Sequence, residues 1–166
     1  MYRTVQDFID DWQHESASTL KVMKAMSDSS LQQKVSSEGR TLGALAWHII
    51  HTLGEMGSKA GLNIDTPAEH AAPPISASVI ADAYERASQL LLHHVQTQWN
   101  DSMLPEVLEM YGEKWSRGAV LYAIIKHEAH HRGQMTVLMR QAHLKVPGVY
   151  GPSKEEWAAF GMKAPE

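Results

Sequence analysis

The chain has 166 residues, a net charge of −4 and a pI of about 6.2, with 43% hydrophobic and 20% charged residues. That balance suits one globular domain spanning 1–166, and the acidic net charge gives no general pull toward nucleic acid or an anionic membrane. The absence of cysteine excludes disulfides, thiolate zinc sites, iron–sulfur clusters and cysteine nucleophiles, whereas ten histidines leave imidazole as the main chemical resource.

Val5, Phe8, Ile9, Trp12, Leu20 and Met23 recur at helical spacing and predict a first helix from Thr4 to about Met26. Thr4 is placed to cap it, with Asp7 three positions on as the returning half of a capping box. Ser27–Ser30 ends the pattern, and a polar connector runs to Arg40. Thr41 then caps a second helix through Leu42, Leu45, Ala46, Ile49, Leu53 and Met56, stopped by Gly61. Leu62 to Pro74, interrupted by Pro67, Pro73 and Pro74, reads as an irregular crossover over one end of a bundle.

Val79, Ile80, Ala83, Ala87, Leu90, Leu91 and Val95 form the stripe of a third helix, from Ser76 or Ser78 to about Trp99. Met103 to Trp115 is broken by Pro105 and Gly112, with a turn of helix expected between them. Ser116 caps a fourth helix from Arg117 to about His143. After the turn-rich Val146–Pro152, Ser153 and Glu156 make a second capping box, opening a short final helix that holds Trp157 and Phe160 and ends at Gly161. No segment shows period-two alternation of β-branched residues. The fold class expected is all-α, a four-helix bundle with a short C-terminal helix. No apolar run has the length of a signal peptide or a membrane span, so the expected location is the cytoplasm.

The densest chemistry lies on the fourth helix, at His127-Glu128-Ala129-His130-His131. With His127 at zero on a helical wheel, Val120 and Leu138 fall near about 20°, His131 near about 40° and Ile124 near about 60°. His127 and His131 are therefore expected in the middle of an apolar stripe, with His130 about 60° to the other side. Spacing alone is weak, since about 0.6 histidine pairs four apart arise by chance at this histidine content. Facing matters more. Two imidazoles one turn apart in a buried stripe need partners and resist protonation, and a divalent metal meets both demands.

A third ligand must come from elsewhere. His48 lies at the margin of the second helix's apolar stripe, and His51 roughly 60° further from it, so His48 is the better inward candidate. His93 and His94 are adjacent and cannot both point inward, and His14, His70 and His143 have no partner pattern. The same segment also satisfies H-E-x-x-H, a zinc protease pattern with Glu128 as general base. The lack of a predicted sheet and the position of Glu155 and Glu156 beyond a proline–glycine loop rank that reading lower.

Leu42-Gly43-Ala44-Leu45-Ala46-Trp47-His48-Ile49, His127-x-x-x-His131-Arg132-Gly133-Gln134 and Val146-Pro147-Gly148-Val149-Tyr150-Gly151-Pro152 together resemble the DinB family, within the DinB/YfiT-like metalloenzyme superfamily. Order and spacing agree along nearly the whole chain. The resemblance implies an up-down-down-up bundle with a long crossover between the second and third helices. It also implies a metal site on His48, His127 and His131, holding nickel or zinc with water in the open positions, and a homodimer. Gln134, one turn beyond His131, is placed to bond a ligand or metal-bound water. Arg132 is expected to point away from the ligands and pair with a carboxylate or cap a loop. Gly133 suggests a close helix approach, and Glu55 is either a neighbour of the site or a solvated carboxylate.

Three neutral nitrogens leave coordination positions for water and substrate, the arrangement of a catalytic rather than a closed structural site. Such an ion activates water for hydrolysis or a thiol for transfer. The resemblance implies both, with relatives among thiol-dependent S-transferases and metal-dependent hydrolases. The expected partner is a small-molecule substrate, with a low-molecular-weight thiol slightly favoured. A non-catalytic metal-binding stress-response bundle is the alternative.

Overall fold

A computed structural model describes residues 2–68 and 70–165. Four long helices carry the fold: α1 (Val5–Lys24), α2 (Leu42–Lys59), α3 (Ala77–Gln98) and α4 (Arg117–Gln141). Three begin at the hydroxyls expected of them. Thr4, Thr41 and Ser116 accept from the amides of Asp7, Ala44 and Ala119 at 3.1, 3.1 and 3.2 Å, each satisfying a donor the helix leaves free. The Asp7 carboxylate in turn accepts from the Thr4 amide at 2.9 Å. The start of α3 differs, because Ser76 makes no cap. Asp28, in the connector after α1, accepts from the Ala77 amide at 2.7 Å instead.

Contacts between helix ends set the directions. Asp28 meets the start of α3, and the Val5 amide donates to Asp101, just beyond its end, at 2.7 Å. α1 and α3 are therefore antiparallel. Tyr2 lies edge-on to Tyr122 and Glu15 binds Arg132, so α1 and α4 run parallel. Arg117 Nη1 donates to the Ala60 carbonyl at 2.8 Å, joining the start of α4 to the end of α2. The order is up-down-down-up. Phe8, Trp12, Ile49, Ile80, Tyr84, Leu91, Val120 and Met135 close the shared core, each worth about 1.5–3 kcal/mol over exposure for an aliphatic or Phe-sized side chain. Trp12 keeps its indole N–H satisfied there by donating to the Ser88 carbonyl at 3.0 Å.

The crossover is irregular but anchored, with Leu62 and Ile64 buried. It runs so close to α2 that a Cβ at Gly54 would stand 1.8 Å from Thr66 Oγ1, and one at Gly57 2.5 Å from Ile64 Cδ1. These glycines, rather than Gly133, mark close approach. Gly133 is exposed with nothing within 4 Å of its would-be Cβ, and nothing in the structure explains it.

The segment after Pro105 corrects the expectation of a helical turn. Val107–Met110 (β1) and Glu113–Ser116 (β2) pair antiparallel, joined by Tyr111 and Gly112 at φ 54° and 81°. Two consecutive positive φ values suit the twist of a two-residue hairpin. The chain is thus mostly helical with a small added hairpin. At the C-terminus only half of the expected capping box forms: Glu156 accepts from the Ser153 amide at 3.0 Å, while the Glu156 amide donates to the Ser153 carbonyl rather than to its hydroxyl. The element that follows is a single 3-10 turn, Trp157–Phe160, closed by Gly161 at φ 68°. Among the described residues no helix is long and apolar enough to cross a membrane.

Candidate metal centre

The buried face of α4 is centred differently from the sequence expectation. Its buried residues include Val120, Ile124, Glu128, His131, Arg132, Met135 and Leu138, an arc from about 20° to about 140° on the wheel with His127 at zero. Glu128 and Met135 occupy the middle. His127 and His131 sit at the margin, which leaves them accessible from one side.

At that margin three imidazoles meet. His48 Nε2 lies 3.2 Å from His127 Nε2, and His131 Nε2 lies 3.1 Å from the same atom. The three ligand nitrogens all fall within 4.8 Å of one another. Two nitrogens sharing one ion at roughly 2.0–2.1 Å stand about 2.9–3.4 Å apart for angles between square and tetrahedral, so this spacing fits a common metal. Proton bookkeeping points the same way. His131 Nδ1 stands 2.7 Å from Gln134 Oε1, and a carbonyl oxygen only accepts, so that proton sits on Nδ1. Neutral His131 then presents a lone pair at Nε2. His127 Nε2 cannot serve both neighbours with one proton or one lone pair, so at least one close nitrogen pair is left without a proper hydrogen bond. A shared cation relieves that repulsion.

Burial pushes His48 and His127 down to about 4, with the other imidazoles and the Arg40 charge adding to it. Burial also lowers His131, against the opposing bond to Gln134. All three shifts favour the neutral ring, the state in which imidazole binds metal. His131 and Gln134 form part of the wall of a cavity of about 490 Å³, together with Arg40 and the apolar Val35, Leu45, Val137 and Leu138. Of the three imidazoles, His131 is the one that lines this cavity.

The other sequence candidates fall elsewhere. His51 Nδ1 lies 3.2 Å from the Pro67 carbonyl on the crossover, and Glu55 stands beside His51 and Tyr111 rather than at the cluster. His130 is exposed and 3.1 Å from Gln134 Nε2. Glu128 is 1% exposed and takes the Tyr84 hydroxyl of α3. Burial pushes it up to about 7, against the pull of Tyr84, Thr19 and Arg132. Glu128 thus faces the core and not the imidazole nitrogens. Glu155 is held by Arg140, and Glu156 by the Gly148 and Ser153 amides at 3.0 Å each. The zinc-protease arrangement is therefore absent among the described residues.

Arg132 has a larger role than its position beside the ligand motif suggested. It is 2% exposed and donates to the Glu15 carbonyl at 3.0 Å, to Thr19 at 2.9 Å, to the Glu15 carboxylate at 2.6 Å and to the Tyr150 hydroxyl. Tyr150 in turn donates to Glu15 at 2.8 Å. One guanidinium ties α4, α1 and the Val146–Pro152 loop together beside the site.

By class, the molecule is a four-helix bundle of this topology whose three converging histidines could hold a metal ion. The chain belongs to the DinB family, whose model it matches over residues 1–166. It is 44% identical over 166 residues to the uncharacterized protein YrdA of Bacillus subtilis (strain 168), covering 100% of this chain and 99% of that one. A DinB-like protein from Bacillus cereus ATCC 10987 superposes with a TM-score of 0.87 at 38% identity, over 90% of this chain and 100% of the other. A second DinB-like protein, YjoA of Bacillus subtilis, shares the fold at a TM-score of 0.67 and 17% identity, over 86% and 97% of the two chains. Family and three-histidine cluster together are compatible with metal binding.

Proposed function

We propose that this chain is a cytoplasmic, homodimeric, metal-dependent enzyme in which His48, His127 and His131 hold a divalent transition metal, nickel or zinc. The observation that carries this reading is the convergence of three neutral Nε2 atoms beside the wall of a cavity of about 490 Å³, a size that suits a small-molecule ligand. When bound, such an ion supplies Lewis acidity that lowers the pKa of a water or thiol brought to it.

The protein's own residues hold and shape that centre. Gln134 Oε1 fixes the His131 tautomer and ring orientation, so the lone pair stays aimed at the shared position. Val35, Leu45, Val137 and Leu138 give the cavity an apolar wall, which limits competing water. Glu128 is engaged by Tyr84 on the core side and is out of place as a base for attack by water. This supports thiol transfer ahead of hydrolysis, because a thiol delivered as thiolate attacks without a neighbouring carboxylate. A chain without cysteine must draw that thiol from a separate molecule.

The test is to load the purified protein with nickel or zinc and measure conjugation of bacillithiol and glutathione to an electrophile. Metal-dependent turnover that disappears in His127→Ala is the expected result. Full metal occupancy without turnover across the thiol panel would overturn thiol transfer, and no turnover with hydrolase substrates either would leave a non-catalytic metal-binding bundle.

A further inference from the structure

The cavity beside His131 has an unbalanced charge. Among the described residues its walls include one cation, Arg40, and no carboxylate. Arg40 sits in the connector immediately before Thr41, the cap of α2, and is exposed. Three other arginines are committed to carboxylates: Arg117 to Glu106 at 2.9 Å, Arg132 to Glu15 at 2.6 Å, and Arg140 to Glu155. Arg40 has no hydrogen bond, ion pair or ring contact among the described residues. Its charge reaches the imidazoles, since it helps depress His48, His127 and His131 alike.

The surrounding backbone does not compete for the role. The connector is pinned by the Leu42 amide on the Gln33 carbonyl at 2.9 Å and the Gly43 amide on the Leu31 carbonyl at 3.0 Å, while Ala44 is capped by Thr41. The first amides of α2 are therefore occupied, and the first turn carries no acidic side chain to neutralise its positive end. What remains to meet a ligand is a planar guanidinium whose paired N–H groups match a carboxylate. The other walls are mostly hydrocarbon, with His131 and Gln134 adding the polar edge next to the metal ligands.

We propose that this cavity binds a small organic acid, its carboxylate held by Arg40 and its apolar body packed against Val35, Leu45, Val137 and Leu138. The inference rests on the metal-centre reading for what happens at the His131 end, and names the substrate class for it. The acid is the cosubstrate that lies alongside the metal, and Arg40 is its specificity-determining residue.

Calorimetric titration of the full-length chain, metal-free and zinc-loaded, with hexanoate, hexanamide and hexyl phosphate tests it. Metal-free wild type should bind hexanoate about tenfold or more tightly than hexanamide, the range of a charge-assisted pair. Arg40→Gln should bring that ratio to within about twofold of one by weakening hexanoate alone, and Arg40→Lys should fall between. Val137→Asp, which sets a carboxylate on the same cavity wall as Arg40, should weaken hexanoate more than hexanamide. A ratio near one in metal-free wild type, or a ratio unchanged in Arg40→Gln, would overturn the proposal. So would hexyl phosphate binding tenfold more tightly than hexanoate. A carboxylate preference that appears only with zinc and survives Arg40→Gln would also overturn it while leaving the metal centre standing. Failure of zinc to bind at all would refute the metal centre and leave the metal-free ratio to judge Arg40.

Discussion

Replacing Arg132 with methionine tests how the site's supporting frame is held. The Arg132 and Glu15 side chains are only 3% and 12% exposed, so solvent screens their attraction little. The guanidinium meets four acceptors: the Glu15 carbonyl and carboxylate, Thr19 and Tyr150. Removing it leaves the largely buried Glu15 carboxylate with the Tyr150 hydroxyl as its remaining side-chain partner among the described residues. Breaking a buried pair from one side costs about 3–5 kcal/mol, mostly from the stranded charge. For a chain of this length that corresponds to a fall in Tm of roughly 6–20 °C. Urea unfolding followed by tryptophan fluorescence reads the loss. The Arg132→Met/Glu15→Gln double variant should recover a substantial part of it, because the stranded charge is then gone. A loss below about 1 kcal/mol, or strict additivity of the two changes, would refute the claim that this pair braces α1, α4 and the Tyr150 loop.

Gln134→Leu should weaken zinc affinity by about 10–100-fold with little change in Tm, the usual cost of losing a ligand's orienting partner; unchanged affinity in a chelator competition would contradict that role. Gly133→Ala should stabilise the chain by up to about 1 kcal/mol, since the site is open and helical. Gly54→Ala should instead destabilise it by about 1–3 kcal/mol, because the new methyl overlaps Thr66 on the crossover. Denaturation of the two variants side by side checks the opposite signs. The Arg140 bond holds Glu155 down from 4.5 to about 2, and the Gly148 and Ser153 amides lower Glu156. A carboxylate whose pKa is depressed on folding contributes stability above its unfolded pKa and loses it as pH falls through the folded value. The C-terminal loop should therefore stay docked at pH 5 and loosen between about 4.5 and 2. Amide shifts of Gly148 and Ser153 follow this, and a midpoint at or above 4.5 would contradict it.

Much of the architecture is legible in the residues because local and tertiary preferences agree. Thr4, Thr41 and Ser116 stand where helices begin, and Gly61 and Gly161 take the positive φ that ends an element. The hairpin was hidden for a physical reason. Both strands are short and largely exposed, and only Met110 is fully buried, so no alternation develops; Tyr111-Gly112 was the remaining signal. The wheel for α4 misplaced the apolar centre because Glu128 and Arg132 occupy the buried face. Their partners, Tyr84, Glu15 and Thr19, lie on other helices and cannot be inferred from spacing along one. The family motif picked out His48, His127 and His131, which the structure brings together, although helical facing had set His127 and His131 in the middle of the buried stripe rather than at its margin; Arg40 carries no local pattern and gains meaning only from the cavity it borders.

Metal stoichiometry tests the central claim most directly. Elemental analysis after zinc loading and desalting should find about one ion per chain in the wild type. His48→Ala, His127→Ala and His131→Ala should each lose it while retaining the helical circular-dichroism spectrum. No bound ion in the wild type, or one ion per chain retained in all three variants, would contradict a metal centre built on these histidines.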